Sequence, residues 1–275
     1  MKIALFSQSL FALPLDEAIS VAARIGYPAL ELACTGPHFD IELARHEPEK
    51  IAARVDEAGL EVSALSLFNT FTDRAQLDEQ IETAATFIAL AQLLDTHVVK
   101  LTPGPPGSAA ATEEHWQCLG EAVSRLVPIA QEAGVRLAFE THMRQLTDTL
   151  ASSQRLLALA PPDILGLTVD FSNLAFAGEK MADVVSALSG RIYNTHVKNG
   201  YIDADGGWHF QAIDQGLTDY AEVLPLLRDT GYDGYLSVEC LGQDAAERPA
   251  ETARRDLEIL QRLLQEVGWT AGDAE

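Results

Sequence analysis

Four polar side chains of this sequence each close a short, largely apolar phrase: Leu137-Ala138-Phe139-Glu140, Leu167-Thr168-Val169-Asp170, Asn194-Thr195-His196 and Leu236-Ser237-Val238-Glu239. Runs of this length read as buried strands, so each polar residue is expected at the carboxyl end of its own strand. Three carboxylates and one imidazole brought to one place repel one another unless a cation sits among them, because unpaired buried charge is costly. An oxygen-rich set with a single nitrogen suits one divalent ion, with Mn, Mg, Co or Fe favoured and Zn accommodated less readily. Any one of the four alone reads as a helix cap or a surface residue. Their recurrence at four successive strand ends points to a shared metal site.

The elements that must position them are legible from punctuation. An amphipathic helix stops at Gly and an apolar, strand-like segment comes next at Arg24-Ile25-Gly26-Tyr27, Glu57-Ala58-Gly59-Leu60, Glu132-Ala133-Gly134-Val135 and Asp229-Thr230-Gly231-Tyr232. Glycine just past a helix end takes the left-handed conformation at no Cβ cost, so each phrase marks a helix feeding a strand. Strands are expected over 2–6, 29–33, 60–67, 97–102, 135–140, 164–170, 192–197 and 234–239, with helical periodicity between them. Leu15, Ala18, Ile19, Ala22 and Ile25, for instance, share one face. This alternation predicts a parallel sheet with helices outside it. Period two then puts Ala138, Thr168, Asn194 and Ser237 on the same strand faces as the four polar residues, with Leu137, Phe139, Leu167, Val169, Leu236 and Val238 opposite. Small residues inside and large apolar ones outside favour a closed barrel over an open sheet. The fold class is therefore α/β, a single (β/α)8 TIM barrel over 1–269 with a short acidic tail over 270–275.

Composition bounds the partners. The 275 residues suit one barrel, for which about 250 are typical. Lys and Arg number 19 against 41 Asp and Glu, a formal charge of -22. The mean field therefore repels phosphate backbones, and nucleic acid is excluded as a partner. Cys34, Cys118 and Cys240 form no Cys-x-x-Cys pair, which argues against a disulfide framework or a thiolate zinc site. With no basic leader and no apolar run of about 18 residues, the expectation is a cytoplasmic protein that makes no use of a membrane.

The phrases Phe139-Glu140-Thr141-His142, Val169-Asp170-Phe171-Ser172-Asn173, Thr195-His196-Val197-Lys198-Asn199 and Ser237-Val238-Glu239 carry a family likeness. In this order and spacing the chain resembles the sugar isomerase/epimerase family with a xylose-isomerase-like barrel. The resemblance implies that Glu140 and Glu239 are metal ligands and also the catalytic acid/base pair, while Asp170 and His196 complete the metal shell. It implies a divalent-metal-dependent isomerase or epimerase of a small sugar or keto-sugar, working by proton transfer through a metal-bound enediolate. An inosose dehydratase-like lyase on a keto-polyol is the alternative, and a non-catalytic sugar-binding or partner subunit the remote one. A homodimer or homotetramer is expected from the same likeness. Three places depart from the family pattern. Asn173 stands where many members carry His, Asn199 stands where the usual His-x-Lys-Asp phrase has Asp, and Gly200-Tyr201-Ile202 replaces the segment that supplies an Arg in sugar 3-epimerases.

Further substrate contacts are expected on loops at the same rim: His142 beyond Glu140, Asn173, Lys198, His38, and Trp208 with His209 in Trp208-His209-Phe210, read as the tip of a long loop. Phe39 and Phe68 are weaker candidates of the same kind. Glu31 and Lys100 fall inside strands two and four, where an inward pair would make a buried ion pair of structural role.

Overall fold

The computed structural model describes residues 1–269; the expected acidic tail lies outside them. Eight parallel strands close into a barrel: β1 (Lys2–Phe6), β2 (Ala29–Ala33), β3 (Glu61–Ser66), β4 (Val98–Leu101), β5 (Arg136–Glu140), β6 (Leu165–Asp170), β7 (Ile192–Val197) and, after a two-stranded excursion, β10 (Tyr235–Val238). Around the barrel the order is β1, β10, β7, β6, β5, β4, β3, β2, so each strand pairs with its neighbours in sequence once the excursion is set aside. All eight expected strands are present, within a residue or so of the expected bounds. Gly26, Gly59, Gly134 and Gly231 all have positive φ, as helix stops of this kind require.

The two strand faces divide as the sequence implies. Leu137, Phe139, Leu165, Leu167, Val169, Leu236 and Val238 are fully buried in the apolar layer beneath the helices. On the other face the middle of the barrel is narrow, lined by Ala4, Ala138, Gly166 and Ser237, with charged and polar side chains above them. A Cβ on Gly166 would lie 2.5 Å from the Tyr193 ring, so no larger residue fits beside that ring.

Two register shifts tune the aim of the side chains. One falls between Leu30 and Glu31, opposite β3, and the other between Leu167 and Thr168, opposite β7. In the second, Tyr193 is the extra residue, after which Asn194 pairs with Thr168 and His196 with Asp170. A bulge of this sort re-aims the side chains beyond it, and here it levels the imidazole with the Asp170 carboxylate.

The segment after β7 departs from the sequence expectation. Trp208-His209-Phe210 is not a loop tip: Trp208–Gln211 forms β9, which pairs antiparallel with β8 (Asn199–Ile202), and the turn at 203–207 is the tip. The Asp203 carboxylate draws the turn together by accepting from the backbone N–H groups of Asp205 and Gly207. Trp, Phe and Tyr on alternating positions favour a pleated strand once a partner strand is available, which single-segment reading could not supply.

Candidate metal and proton-transfer site

Glu140, Asp170, His196 and Glu239 converge at the carboxyl rim, each offering one ligand atom, with those atoms all within 4.8 Å of one another and all four residues buried. Glu140, Asp170 and His196 belong to β5, β6 and β7; Glu239 immediately follows β10, its N–H donating to the Val197 carbonyl at 3.0 Å. The His196 ring shows which atom is meant for a ligand. Nε2 is 2.9 Å from Glu31 Oε1, and Nδ1 is buried with no hydrogen-bond partner. With Nε2–H donated to Glu31, the lone pair sits on Nδ1 and faces the carboxylates, the tautomer a metal-binding histidine needs. Glu31 is itself fixed by Asn194, which donates to Oε2 at 2.9 Å. The set therefore fits one divalent cation in donor type, spacing and orientation.

The surrounding charges explain how so many acids share a buried place. Lys100 Nζ is 2.9 Å from Glu140 Oε2, and Lys198 Nζ is 2.7 Å from both Asp170 Oδ2 and Glu239 Oε2. Burial opposes ionisation of Glu140, but the Lys100 ammonium and the His196 ring outweigh it and hold the carboxyl well below the usual carboxylate range. For Asp170 burial prevails over the Lys198 ammonium, with the charges of Glu239 and Glu140 added, and its pKa is raised. Burial likewise opposes the charged forms of His196 and Lys198. For His196 the carboxylates of Glu31 and Glu140 reverse this, and for Lys198 those of Asp170 and Glu239 do, so both are pushed well up. A proton on the imidazole thus competes with a metal for the same lone pair.

Glu31 and Lys100 do point inward as expected, but not at each other. Glu31 serves His196 across the lumen, and Lys100 serves Glu140 on the adjacent strand. Phe6 stacks on His196 with ring centroids 5.0 Å apart, and Phe68 lies under the Lys100 ammonium at 4.5 Å. The sequence carries no signal for the Phe6 contact beyond its place at the end of β1. Because Glu31 fixes the imidazole, Glu31→Ala is expected to weaken metal binding about 10- to 100-fold. Glu31→Gln, which keeps one acceptor, should fall in between. Competition against a chelator reads the constants, and equal values in all three proteins would remove Glu31 from this role.

The remaining rim residues separate into two groups. His142 is partly buried, close enough to Glu140 to act on its charge, with Nδ1 against the Met143 carbonyl at 2.8 Å. Asn173 is buried, donates through Nδ2 to the Thr141 carbonyl and leaves Oδ1 without a partner. Trp208 and Phe210 share the face of β9 turned to the barrel, with Phe210 5.7 Å from Lys198 Nζ. Asn199 donates to the carbonyls of Ile213 and Thr218 while accepting from the Gly200 and Thr218 N–H groups, which an aspartate could not do. Three expected contacts fail. His209 lies on the opposite face of the hairpin, exposed, bonded to Asp203 and stacked on Tyr201. His38 is buried with both ring nitrogens committed, and Phe39 is fully buried in the core; only Phe68 stays open at the rim.

His38 instead closes a chain of bonds. The Ala33 N–H donates to Ser7 Oγ at 2.9 Å, the Ser7 hydroxyl faces Nδ1 at 3.0 Å, and Nε2 faces the Leu13 carbonyl at 3.2 Å. A neutral imidazole protonated on Nε2 satisfies this arrangement, donating to the Leu13 carbonyl and accepting the Ser7 hydroxyl at Nδ1. Burial lowers its pKa below the ordinary 6.5, against the raising effect of the Leu13 carbonyl. As pH falls the unfolded chain takes up this proton first, so the contribution of His38 is present above its unfolded pKa and lost below it. The urea midpoint should therefore drop between about pH 7 and pH 5, and His38→Gln should flatten that part of the slope. The same pH dependence in the variant would contradict this.

The fold and site define a class before they define a member. The family model of the xylose isomerase-like TIM barrel matches residues 19–263, and the chain belongs to that family. Inosose dehydratase of Geobacillus kaustophilus (strain HTA426) is 21% identical over 282 residues, covering 92% of this chain and 88% of that one. Among solved structures, the IOLI protein with a binding zinc atom superposes with a TM-score of 0.84 at 18% identity, covering 97% of this chain and 99% of that one. L-ribulose 3-epimerase superposes with a TM-score of 0.78 at 18% identity over 100% of both chains. No helix among the described residues is long and apolar enough to cross a membrane.

Proposed function

We propose that the protein is a divalent-metal-dependent isomerase or epimerase of a small sugar or keto-sugar, in which Glu140 and Glu239 exchange the proton on the carbon beside the carbonyl. A divalent ion held by Glu140, Asp170, His196 and Glu239 would act as a Lewis acid that makes that proton easier to remove. The observation that carries the reading is the placement of the two glutamates. In the barrel order β6 and β7 lie between β5 and β10, so Glu140 and Glu239 flank Asp170 and His196 from opposite sides. Each has its own buried ammonium, Lys100 for Glu140 and Lys198 for Glu239. One carboxylate takes the proton from one face of the substrate and the other returns a proton to the opposite face or to the neighbouring carbon. His142, Asn173, Lys198 and Trp208 are assigned to orienting the substrate hydroxyls.

Dehydration of a keto-polyol is the second reading, favoured by the inosose dehydratase relative that spans nearly the whole chain. It begins with the same proton loss and ends with expulsion of a hydroxyl instead of reprotonation. Incubation with Mn and a panel of keto-sugars and inososes in heavy water, followed by NMR, separates the two. Deuterium beside the carbonyl with the skeleton retained supports the first; loss of water supports the second; no exchange with any substrate contradicts both.

A further inference from the structure

We infer that Arg144 is a specificity residue for an anionic substrate, binding a carboxylate carried at the end remote from the reacting carbons; this rests on the metal-dependent reading above. Arg144 lies four residues past Glu140, on the loop after β5, and is one of two non-glycine residues with positive φ among those described, at 61°. Its guanidinium sits 4.0 Å from the centre of the Trp208 ring. Trp208 shares its strand face with Phe210, which lies over Lys198, so the Arg144 side chain spans from one rim loop to the other beside the site.

Charge balance gives this cation its role. The buried site contains four carboxylates, Glu31, Glu140, Asp170 and Glu239, and two ammonium groups, Lys100 and Lys198. One divalent cation brings that set to neutrality, with His196 neutral as a ligand. Arg144 is then surplus, and among the described residues it makes no ion pair or hydrogen bond through its side chain, only the stacking contact. The acid on its own loop, Asp148, directs Oδ2 to the Ser108 N–H at 3.1 Å. A guanidinium held against an aromatic ring with none of its N–H groups hydrogen-bonded keeps its fork available, and that fork matches a carboxylate bidentately. A neutral sugar has no group that would use it so fully.

The test compares ketoses with the keturonates that differ from them only in carrying a terminal carboxylate: D-fructose against D-fructuronate, and D-tagatose against D-tagaturonate. Titration calorimetry on the Mn-loaded protein should show at least one keturonate binding about 10-fold or more tighter than its ketose. Arg144→Gln should abolish that preference, and Arg144→Lys should keep only part of it, while Mn affinity and thermal midpoint stay at wild-type values. Equal binding of acid and sugar, a preference that survives in Arg144→Gln, or no binding of any of the four would overturn the assignment. If the carboxylate preference holds but heavy-water exchange is absent, the proposed reaction fails and the anion subsite stands; exchange without the preference gives the reverse.

Discussion

Glu239→Gln is expected to remain folded and to lose turnover by about 10²- to 10⁴-fold, the range for removing a positioned proton-transfer group. The substitution keeps the shape of the side chain but removes the charge that Lys198 holds at 2.7 Å and the capacity to carry a proton. Lys198 still has the Asp170 carboxylate at 2.7 Å, so the buried ammonium is not stranded. If Glu140 and Glu239 work on opposite sides of the substrate, the single variants should differ qualitatively from a general loss. One of Glu140→Gln and Glu239→Gln should still wash deuterium into the substrate without inverting it, because the surviving carboxylate removes and returns the proton on its own face. NMR of residual substrate reads the exchange and chirality of the product reads the inversion. Variants that slow exchange and inversion in equal proportion would argue for a single base and against two-sided transfer.

Stripping divalent ions should remove activity to background, and adding back Mn should restore it. The same ion should stabilise the fold. Three carboxylates within the 4.8 Å cluster repel in its absence, and a ligand bound only by the folded state at about 100 times its Kd adds about 2.7 kcal/mol. For a chain of this size that raises the thermal midpoint on the order of 5 °C. Asp170→Asn and His196→Ala should lose both the activation and the midpoint shift. A metal-independent midpoint in the wild-type protein would contradict the fit of these side chains to a cation.

Most of the barrel is legible in the sequence because its signals are local. Gly26, Gly59, Gly134 and Gly231 stop helices where left-handed backbone is required, and period-two apolar phrases fix the strands between them. The four converging residues are legible for the same reason: each ends an apolar phrase, and parallel strands put all such ends on one rim. The features that escape a sequence reading depend on adjacency across the lumen. Glu31 and His196 lie on β2 and β7, which closure of the barrel brings face to face although β1 and β10 separate them along the sheet. Lys100 finds Glu140 because the β4–β5 register pairs it with Ala138, one position short of Glu140 on the same strand face, a gap its long side chain closes. The hairpin of β8 and β9 escapes notice because its first strand, Asn199-Gly200-Tyr201-Ile202, begins one residue after β7 and has no apolar alternation of its own. His38 has the chain position of a rim residue, yet Ser7 and Leu13 turn it inward, and neither partner is close to it in sequence.

Elemental analysis of the protein after equilibration with Mn and removal of free ion bears on the cation site most directly. One equivalent per chain in the wild type, falling to near zero in His196→Ala while circular dichroism stays unchanged, is the expected result. Retention of the same amount of metal by His196→Ala and Asp170→Asn, or none by the wild type, would show that this cluster holds no cation and is balanced by its lysines together with bound protons.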